Sequence, residues 1–525
     1  MQAVRPIPLD DAGRPTSSTG AILAPGTTCW KIARAKRAAV VIDAAAYFSA
    51  IKSTISKARH TVFLIGWDFD TRIVLEPDNP ASEFPNALGP FLGHMVRRRP
   101  ELQVFILRWD LAFLKMPLRG TTPLFVLDWM TSRRLHFRLD GHHPPEACHH
   151  QKIVVVDDDI AVCGGIDMTV ERWDTPEHLD DDPRRVRPNG EPYGPWHDAT
   201  MIVQGEAARR LGELARERWF LATGNRVGRC PPCHASWPEQ LKVDFRDVQV
   251  AIARTSPEHK ESPAVREIEA LYLAAIAAAK HTIYIETQYF SSARVAEALA
   301  ARLAEENGPE VVIINPDRAQ GWLEEKTMGS ARAMYLERLR NADKNDRFRF
   351  FTPVTDRGSD IYVHAKVMVI DDVLLRVGSS NLNNRSMGLD TECDLAIEAN
   401  KNDDAAIKAR IVDIRNRLVA EHLGVSTSAL SNCITANEGR LTRAIDVLRR
   451  DEGRSLRPFE PPQLSAAEKL VAESQLLNAD RPEAMTAIFK RTRVTLPLPA
   501  KMAAAAAVTI GLGLSMLTAK RFCRR

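Results

Sequence analysis

His150-Gln151-Lys152 is followed by Asp157, and His364-Ala365-Lys366 is followed by Asp371, so one chain carries two copies of the pattern His-x-Lys-x4-Asp. Each copy leads into an apolar run and then a turn of small residues, Gly164-Gly165-Ile166-Asp167 in the first and Gly378-Ser379-Ser380-Asn381 in the second. A short motif of this kind arises by chance in single copy; two copies with matching flanks make chance a poor explanation. Two histidines and two lysines are the residue types a metal-free phosphoryl transfer needs. Lysines at Lys152 and Lys366 would neutralise a phosphodiester as point charges. A neutral imidazole at His150 or His364 can attack phosphorus and hold it covalently. The other, protonated, can hand a proton to the departing alcohol, and an imidazole reaches both states near neutral pH.

The spacing dictates how these groups are presented. Side chains alternate faces along a strand, so His150 and Lys152 share one face, as do His364 and Lys366. The residues that follow, Ile153 to Val156 and Val367 to Ile370, are continuous apolar runs, the signature of strands buried on both faces. Each run stops at aspartates and a second apolar run follows, Ile160 to Cys163 or Leu374 to Val377, which predicts a hairpin. Asp157 and Asp371 lie an odd number of residues after their histidines. Parity therefore turns them away from the site, where they lock the turn.

Each histidine needs a carboxylate or carbonyl on its second ring nitrogen to fix the tautomer. Glu392 follows the second turn; Asp174, Glu177 and Asp198 follow the first, without a ranking among them. Asp167 and Asn381 hold equivalent places, both 17 residues after their motif histidines. Asn381 can donate to a phosphate oxygen, whereas an ionised Asp167 can only accept. His142, His143 and His149 are read as flanking loop residues. No metal cluster and no cofactor motif is expected. Cys230-Pro231-Pro232-Cys233-His234 matches a c-type haem attachment pattern or half a zinc site, but no second cysteine pair accompanies it, so a loop disulfide or plain thiols is the reading.

These residues resemble the phospholipase D superfamily, whose members carry two such half-sites. The resemblance extends to Arg172-Trp173-Asp174, to Pro195-Trp196-His197-Asp198, and to Tyr284-Ile285-Glu286-Thr287-Gln288-Tyr289-Phe290, with Thr287 where asparagine is usual. It includes Gly378 through Ser386 with Glu392, and spans residues 25 to 420 or so. It implies an α/β fold of two similar halves, each a mixed sheet flanked by helices, with the active site between them and, here, a helical C-terminal extension. It implies His150 or His364 as nucleophile, the other as acid, and Lys152, Lys366 and Asn381 on the phosphate. Family convention counts Asp157 and Asp371 with the catalytic motif, against the parity reading. The implied activity is hydrolysis of a phosphatidylcholine-type lipid to phosphatidate and free alcohol through a phosphohistidine, with transfer to other alcohols. A phosphatidyltransferase of the cardiolipin-synthase kind is the alternative. A nuclease or an inactive lipid-binding protein fits less well.

Composition agrees with a globular enzyme: 45% hydrophobic and 26% charged. A net charge of +4 on 525 residues gives no broad basic face for nucleic acid, so the expected partners are phospholipid and a membrane surface. Along the chain, residues 1–25 read as a mobile lead, 26–229 as the first half, 230–242 as a linker and 243–425 as the second half. Residues 426–495 read as a helical extension and 496–525 as an apolar segment with a basic end. No basic-then-apolar leader opens the chain. Met502 to Ala519 holds no charge over 18 residues, about 27 Å as a helix, and is read as the membrane attachment. Val40 to Arg59, Ala207 to Leu221 and Pro263 to Ala279 read as helices, and Thr61 to Ile65 and Val248 to Ala253 as strands.

Overall fold

The computed structural model describes residues 21–79, 81–110, 133–319, 325–399, 405–465 and 478–481. The lead at 1–20 and the apolar segment at 496–525 lie outside the described residues. Among the described residues, no helix is long and apolar enough to cross a membrane.

The chain is α/β, built on one large mixed sheet. Its central pair is antiparallel: the strand Lys31–Ile42 lies against Phe245–Ser256, in register from Lys31↔Ile252 to Ala38↔Phe245. Outward from Lys31–Ile42 come Ala199–Gly205, Ile160–Gly164, Ile153–Val156 and Thr61–Gly66, each antiparallel to the last. Gln103–Trp109 and Leu135–Asp140 then join in parallel. Outward from Phe245–Ser256 the same senses recur. Glu392–Glu398, Leu374–Gly378, Val367–Ile370 and Thr282–Glu286 are antiparallel in turn. Glu310–Ile314 and Phe348–Val354 follow in parallel, and Ser455–Pro458 adds one antiparallel edge strand.

The motif strands sit deep in this sheet, and the alternation of their side chains explains the unbroken apolar runs. Val155 joins a core under the helices Glu206–Thr223 and Ala405–Leu423, while Val154 and Val156 join one under Ala44–Ser56 and Leu88–Arg98. Val367 and Val369 share the first core, and Met368 and Ile370 face a third under Glu267–Ala278, Ala293–Ala304 and Ser330–Ala342. A strand covered by helices on both faces has no polar face to show. Both hairpins form as expected, with pairs Ile153↔Cys163 and Val367↔Val377. Asp157 and Asp371 open the turns at φ 52° and 53°, in the left-handed region that aspartate tolerates better than most residues.

The helix expected from Val40 to Arg59 is shorter, Ala44–Ser56, because Val40 to Ile42 continue the central strand. Asp43, at φ 62°, breaks the chain between the two. The Ala-rich helix starts later than expected, at Glu267, and the helix Glu206–Thr223 ends on Gly224 in the left-handed C-cap conformation. The extension opens with the helices Thr427–Ala436 and Leu441–Leu448, but its next element is the edge strand Ser455–Pro458, where Pro458 is tolerated because no further strand needs its missing N–H.

Candidate active site

The residues just before each motif strand run beside a segment from the opposite side of the sheet. Tyr362–Val363 pairs in parallel with Trp196–His197, and the His364 N–H donates to the His197 carbonyl at 2.8 Å. In the same way His149 bridges to Thr391, and the His150 N–H donates to the Thr391 carbonyl at 3.0 Å. The two motif histidines are thereby set by backbone from across the molecule.

Their tautomers are set from across the molecule too. His150 Nδ1 lies 3.1 Å from the Glu392 carboxylate and 3.1 Å from the Ser379 carbonyl. A carbonyl oxygen can only accept, so Nδ1 carries the proton and Nε2 keeps the lone pair. Glu392 is fully buried and held by the hydroxyls of Ser379 at 2.5 Å and Ser386 at 2.7 Å. His364 Nδ1 lies 2.7 Å from Asp198, whose other oxygen accepts from the Ala199 N–H at 2.8 Å. Close packing makes glycine necessary beside these carboxylates: a Cβ at Gly165 would stand 2.0 Å from the Asp198 carboxylate. Each carboxylate therefore serves the histidine of the other half-site, an exchange that spacing along the chain does not suggest. Of the other candidates, Asp174 is engaged by His178, Arg185 and the Trp196 N–H, and Glu177 is exposed.

The lysines differ. Lys152 Nζ is paired with Asp167 at 2.9 Å and also donates to the His150 carbonyl. Asp167 is an acceptor that aims Lys152, and its second oxygen takes the Trp67 N–H at 3.0 Å. Lys366 has Asn381 in the place of that aspartate; its Nζ donates to the His364 carbonyl and reaches Gln288 Oε1 at 3.4 Å. Burial drives Lys366 down to about 7, with Lys152 adding to the effect and Asp198 opposing it. The Asn381 side-chain oxygen is buried without a hydrogen-bond partner, and turning the amide over would put a donor there.

Both histidines are held well below the usual imidazole range, first by burial and then by the lysine cations; Arg172 adds to the effect on His364. Trp196 packs on His364 with ring centroids 5.1 Å apart and carries the Arg172 guanidinium 4.2 Å over its ring. Burial pushes Glu392 well above, and Asp198 above, the ordinary carboxylate value. The resting site therefore offers two neutral imidazoles and cationic charge beside them, an arrangement that suits attack on an anionic phosphorus centre.

Asp157 and Asp371 stand apart from this centre. Asp157 accepts the N–H groups of Arg59, His60 and Thr61 at 2.6 to 2.9 Å, and Asp371 those of Lys280, His281 and Thr282 at 2.7 to 2.9 Å. Both aspartates tie the motif hairpin to the entry of the neighbouring strand. His149 flanks the motif outside the named helices and strands, as expected, but it is buried against Asp140, Arg218 and Thr391. Cys230 and Cys233 are free thiols close to Asp157, the plain-thiol alternative of the two. Among the described residues, three groups of ligand-type side chains lie close enough to hold a metal, and none includes His150 or His364.

The chain matches two family models, one described as "Phospholipase D" over residues 142–299 and one as "Cardiolipin synthase, PLD-like domain" over residues 272–410. Phospholipase D A of Dictyostelium discoideum is 25% identical over 73% of this chain and 35% of its own length. Phospholipase D alpha 4 of Arabidopsis thaliana is 24% identical over 72% of this chain and 63% of its own. The chain thus spans less than two thirds of the curated relatives it matches. The phosphatidylserine synthase of Haemophilus influenzae shares the fold, with a TM-score of 0.51 at 14% identity, covering 78% of this chain and 95% of that one.

Proposed function

The chain belongs to the phospholipase D superfamily, and on that premise we propose that it cleaves the phosphodiester of a phosphatidylcholine-type glycerophospholipid, giving phosphatidate and the free alcohol. The observation that carries this reading is the pair of imidazoles, each with Nδ1 tied to a carboxylate and Nε2 left for chemistry. Nε2 of one histidine attacks phosphorus. The P–O bond to the head-group alcohol breaks, and that oxygen takes a proton from Nε2 of the other histidine, which is neutral in the free site and takes up that proton from solvent when the phosphodiester anion binds beside it. The second imidazole, now neutral, removes a proton from water, whose oxygen attacks the phosphohistidine; phosphatidate leaves and the first imidazole is restored. Lys152, Lys366 and Asn381 hold the non-bridging oxygens. Asp167, Glu392 and Asp198 position, and Asp157 and Asp371 lock turns. The divisions at residues 26–229 and 243–425, and the attachment of the 496–525 segment to a membrane, belong to the same proposal.

An alcohol in place of water makes the same site a phosphatidyltransferase. The cardiolipin-synthase description of the model matched at 272–410 and the fold shared with a phosphatidylserine synthase favour keeping that second reading. Incubating the purified protein with phosphatidylcholine vesicles, with and without phosphatidylglycerol or a primary alcohol, separates them. Choline release with phosphatidate supports hydrolysis, cardiolipin supports the transferase, and neither product in any mixture contradicts both.

A further inference from the structure

Behind Asp198 lies a second polar centre that the proposed chemistry does not use. Asp43 precedes the helix Ala44–Ser56, His178 lies in the loop after the first motif, His197 adjoins Asp198, and Glu421 is near the end of the helix Ala405–Leu423. One ligand-type atom from each lies within 4.8 Å of the others. His197 Nδ1 stands 2.9 Å from Glu421 Oε1 and 3.3 Å from Asp43 Oδ1. His178 Nε2 stands 3.3 Å from Glu421 Oε1 and 3.7 Å from Asp43 Oδ2. Four ligands about 2.0 to 2.1 Å from one tetrahedral ion are separated by about 3.3 Å on average. Hydrogen bonding alone produces similar spacings, and two imidazolium protons carry the same charge as one divalent ion, so distance does not decide between them.

Two further observations favour an ion. The outward nitrogen of each imidazole is held by its own carboxylate: His178 Nδ1 by Asp174 at 2.9 Å, and His197 Nε2 by Glu286 at 2.9 Å. That is the outer shell that metal-ligating histidines have, where the second nitrogen donates to an anion and the first is left to face the ion. Asp43 is fully buried, and its Oδ2 has no hydrogen-bond partner although it faces His178. An oxygen anion left unpaired in the interior is costly, and an ion between it and the imidazoles removes that cost.

We propose that Asp43, His178, His197 and Glu421 bind one divalent transition-metal ion of the zinc type, in a closed structural site. Two imidazole nitrogens with two carboxylate oxygens suit that class, and burial leaves no open position for a substrate. The neighbouring trio His197, Glu286 and His422 is the weaker alternative, since it offers three ligands and Glu286 is already taken by the Tyr284 hydroxyl at 2.5 Å. The ion would join three distant segments. It would also steady Asp198, because the Asp43 N–H donates to the Asp198 carbonyl at 2.8 Å.

Elemental analysis of the full chain, produced and refolded with zinc present, tests this. Close to one zinc per chain is expected, retained when Cys230→Ser and Cys233→Ser are combined, retained in His422→Gln, and lost in His178→Gln and Glu421→Gln. Cobalt loading of the unaltered chain guards against variants that fail to fold: tetrahedral visible bands without a thiolate charge-transfer band are expected. A chain that folds without stoichiometric metal overturns the proposal. So does a thiolate band, or metal lost with His422 and kept without His178.

Discussion

His150 Nδ1 and the Glu392 carboxylate lie 3.1 Å apart although 242 residues separate them, and His364 meets Asp198 across 166. Each half-site thus lacks the group that fixes its own imidazole and receives it from the other. A half produced alone would present Nε2 with no fixed tautomer. Glu392→Gln and Asp198→Asn are each expected to lower kcat by about 10²- to 10⁴-fold, with KM changed far less, since the groups act on the imidazoles and not on the lipid. Side-chain nitrogen resonances of labelled histidine give a readout that a loss of packing would not: Glu392→Gln should move the His150 signals and leave those of His364, and Asp198→Asn the reverse. Movement of the own-half histidine instead would contradict the exchange.

Lys366 sets a pH dependence of its own. Burial holds it at about 7 instead of 10.5, so the free site loses a positive charge as pH rises through about 7. KM for an anionic phosphodiester should then rise, by up to about tenfold per unit for a single proton. The histidines, held below their usual range, put the acid limb of kcat/KM below the ordinary imidazole value, where the nucleophile becomes protonated. Flat KM between pH 6 and 9, by initial rates on mixed micelles, would rule out Lys366 as the titrating phosphate ligand.

The same lysine costs stability. Because its folded value is depressed, the unfolded chain binds the extra proton between about 7 and 10.5, and this group makes stability rise with pH over that window. Lys366→Met removes the buried charge. It should melt higher than the unaltered protein at pH 7, on the order of 1 °C per kcal/mol recovered in a chain of this length, while losing turnover. The gap should narrow as pH rises toward 10. A lower melting temperature at neutral pH would contradict the strain assigned to Lys366.

Asp157→Ala and Asp371→Ala should behave oppositely to the histidine and lysine variants. Each strips acceptors from three backbone N–H groups at part-buried or exposed positions that water can reach, at a cost of about 0.5–1.5 kcal/mol for each bond lost. Denaturant melts should show the loss, while protein that remains folded keeps kcat within about tenfold, as expected of a turn lock remote from the reacting atoms. A folded Asp157→Ala protein with kcat down by thousands would return the aspartates to the chemistry.

The motif histidines and lysines, the two hairpins, and the outward turn of Asp157 and Asp371 were legible because all depend on the period-two alternation of strands, which local sequence carries. Burial on both faces was readable from Ile153 to Val156 for the same reason. The exchange of Glu392 and Asp198 was not, since it depends on which backbone lies beside which across the sheet; spacing narrowed Asp198 only to one of three. The buried centre around His197 combines residues as far apart as Asp43 and Glu421, and nothing local marks Asp43 as a partner of either histidine. Spacing matched Asp167 with Asn381, and its pairing with Lys152 became visible only with the lysine's direction.

The paired-histidine mechanism is tested most directly by rapid quenching with a phospholipid labelled at phosphorus, using the unaltered protein, His150→Ala and His364→Ala. Steady-state turnover in both variants should fall by at least about a thousandfold. Label should appear on the unaltered protein as an acid-labile, alkali-stable phosphohistidine. One variant, lacking the nucleophile, should carry no label. The other, still able to attack, should bind label that water fails to release. Substantial turnover in either variant, or phosphatidate formed with no label on the unaltered protein at any quench time, would contradict it.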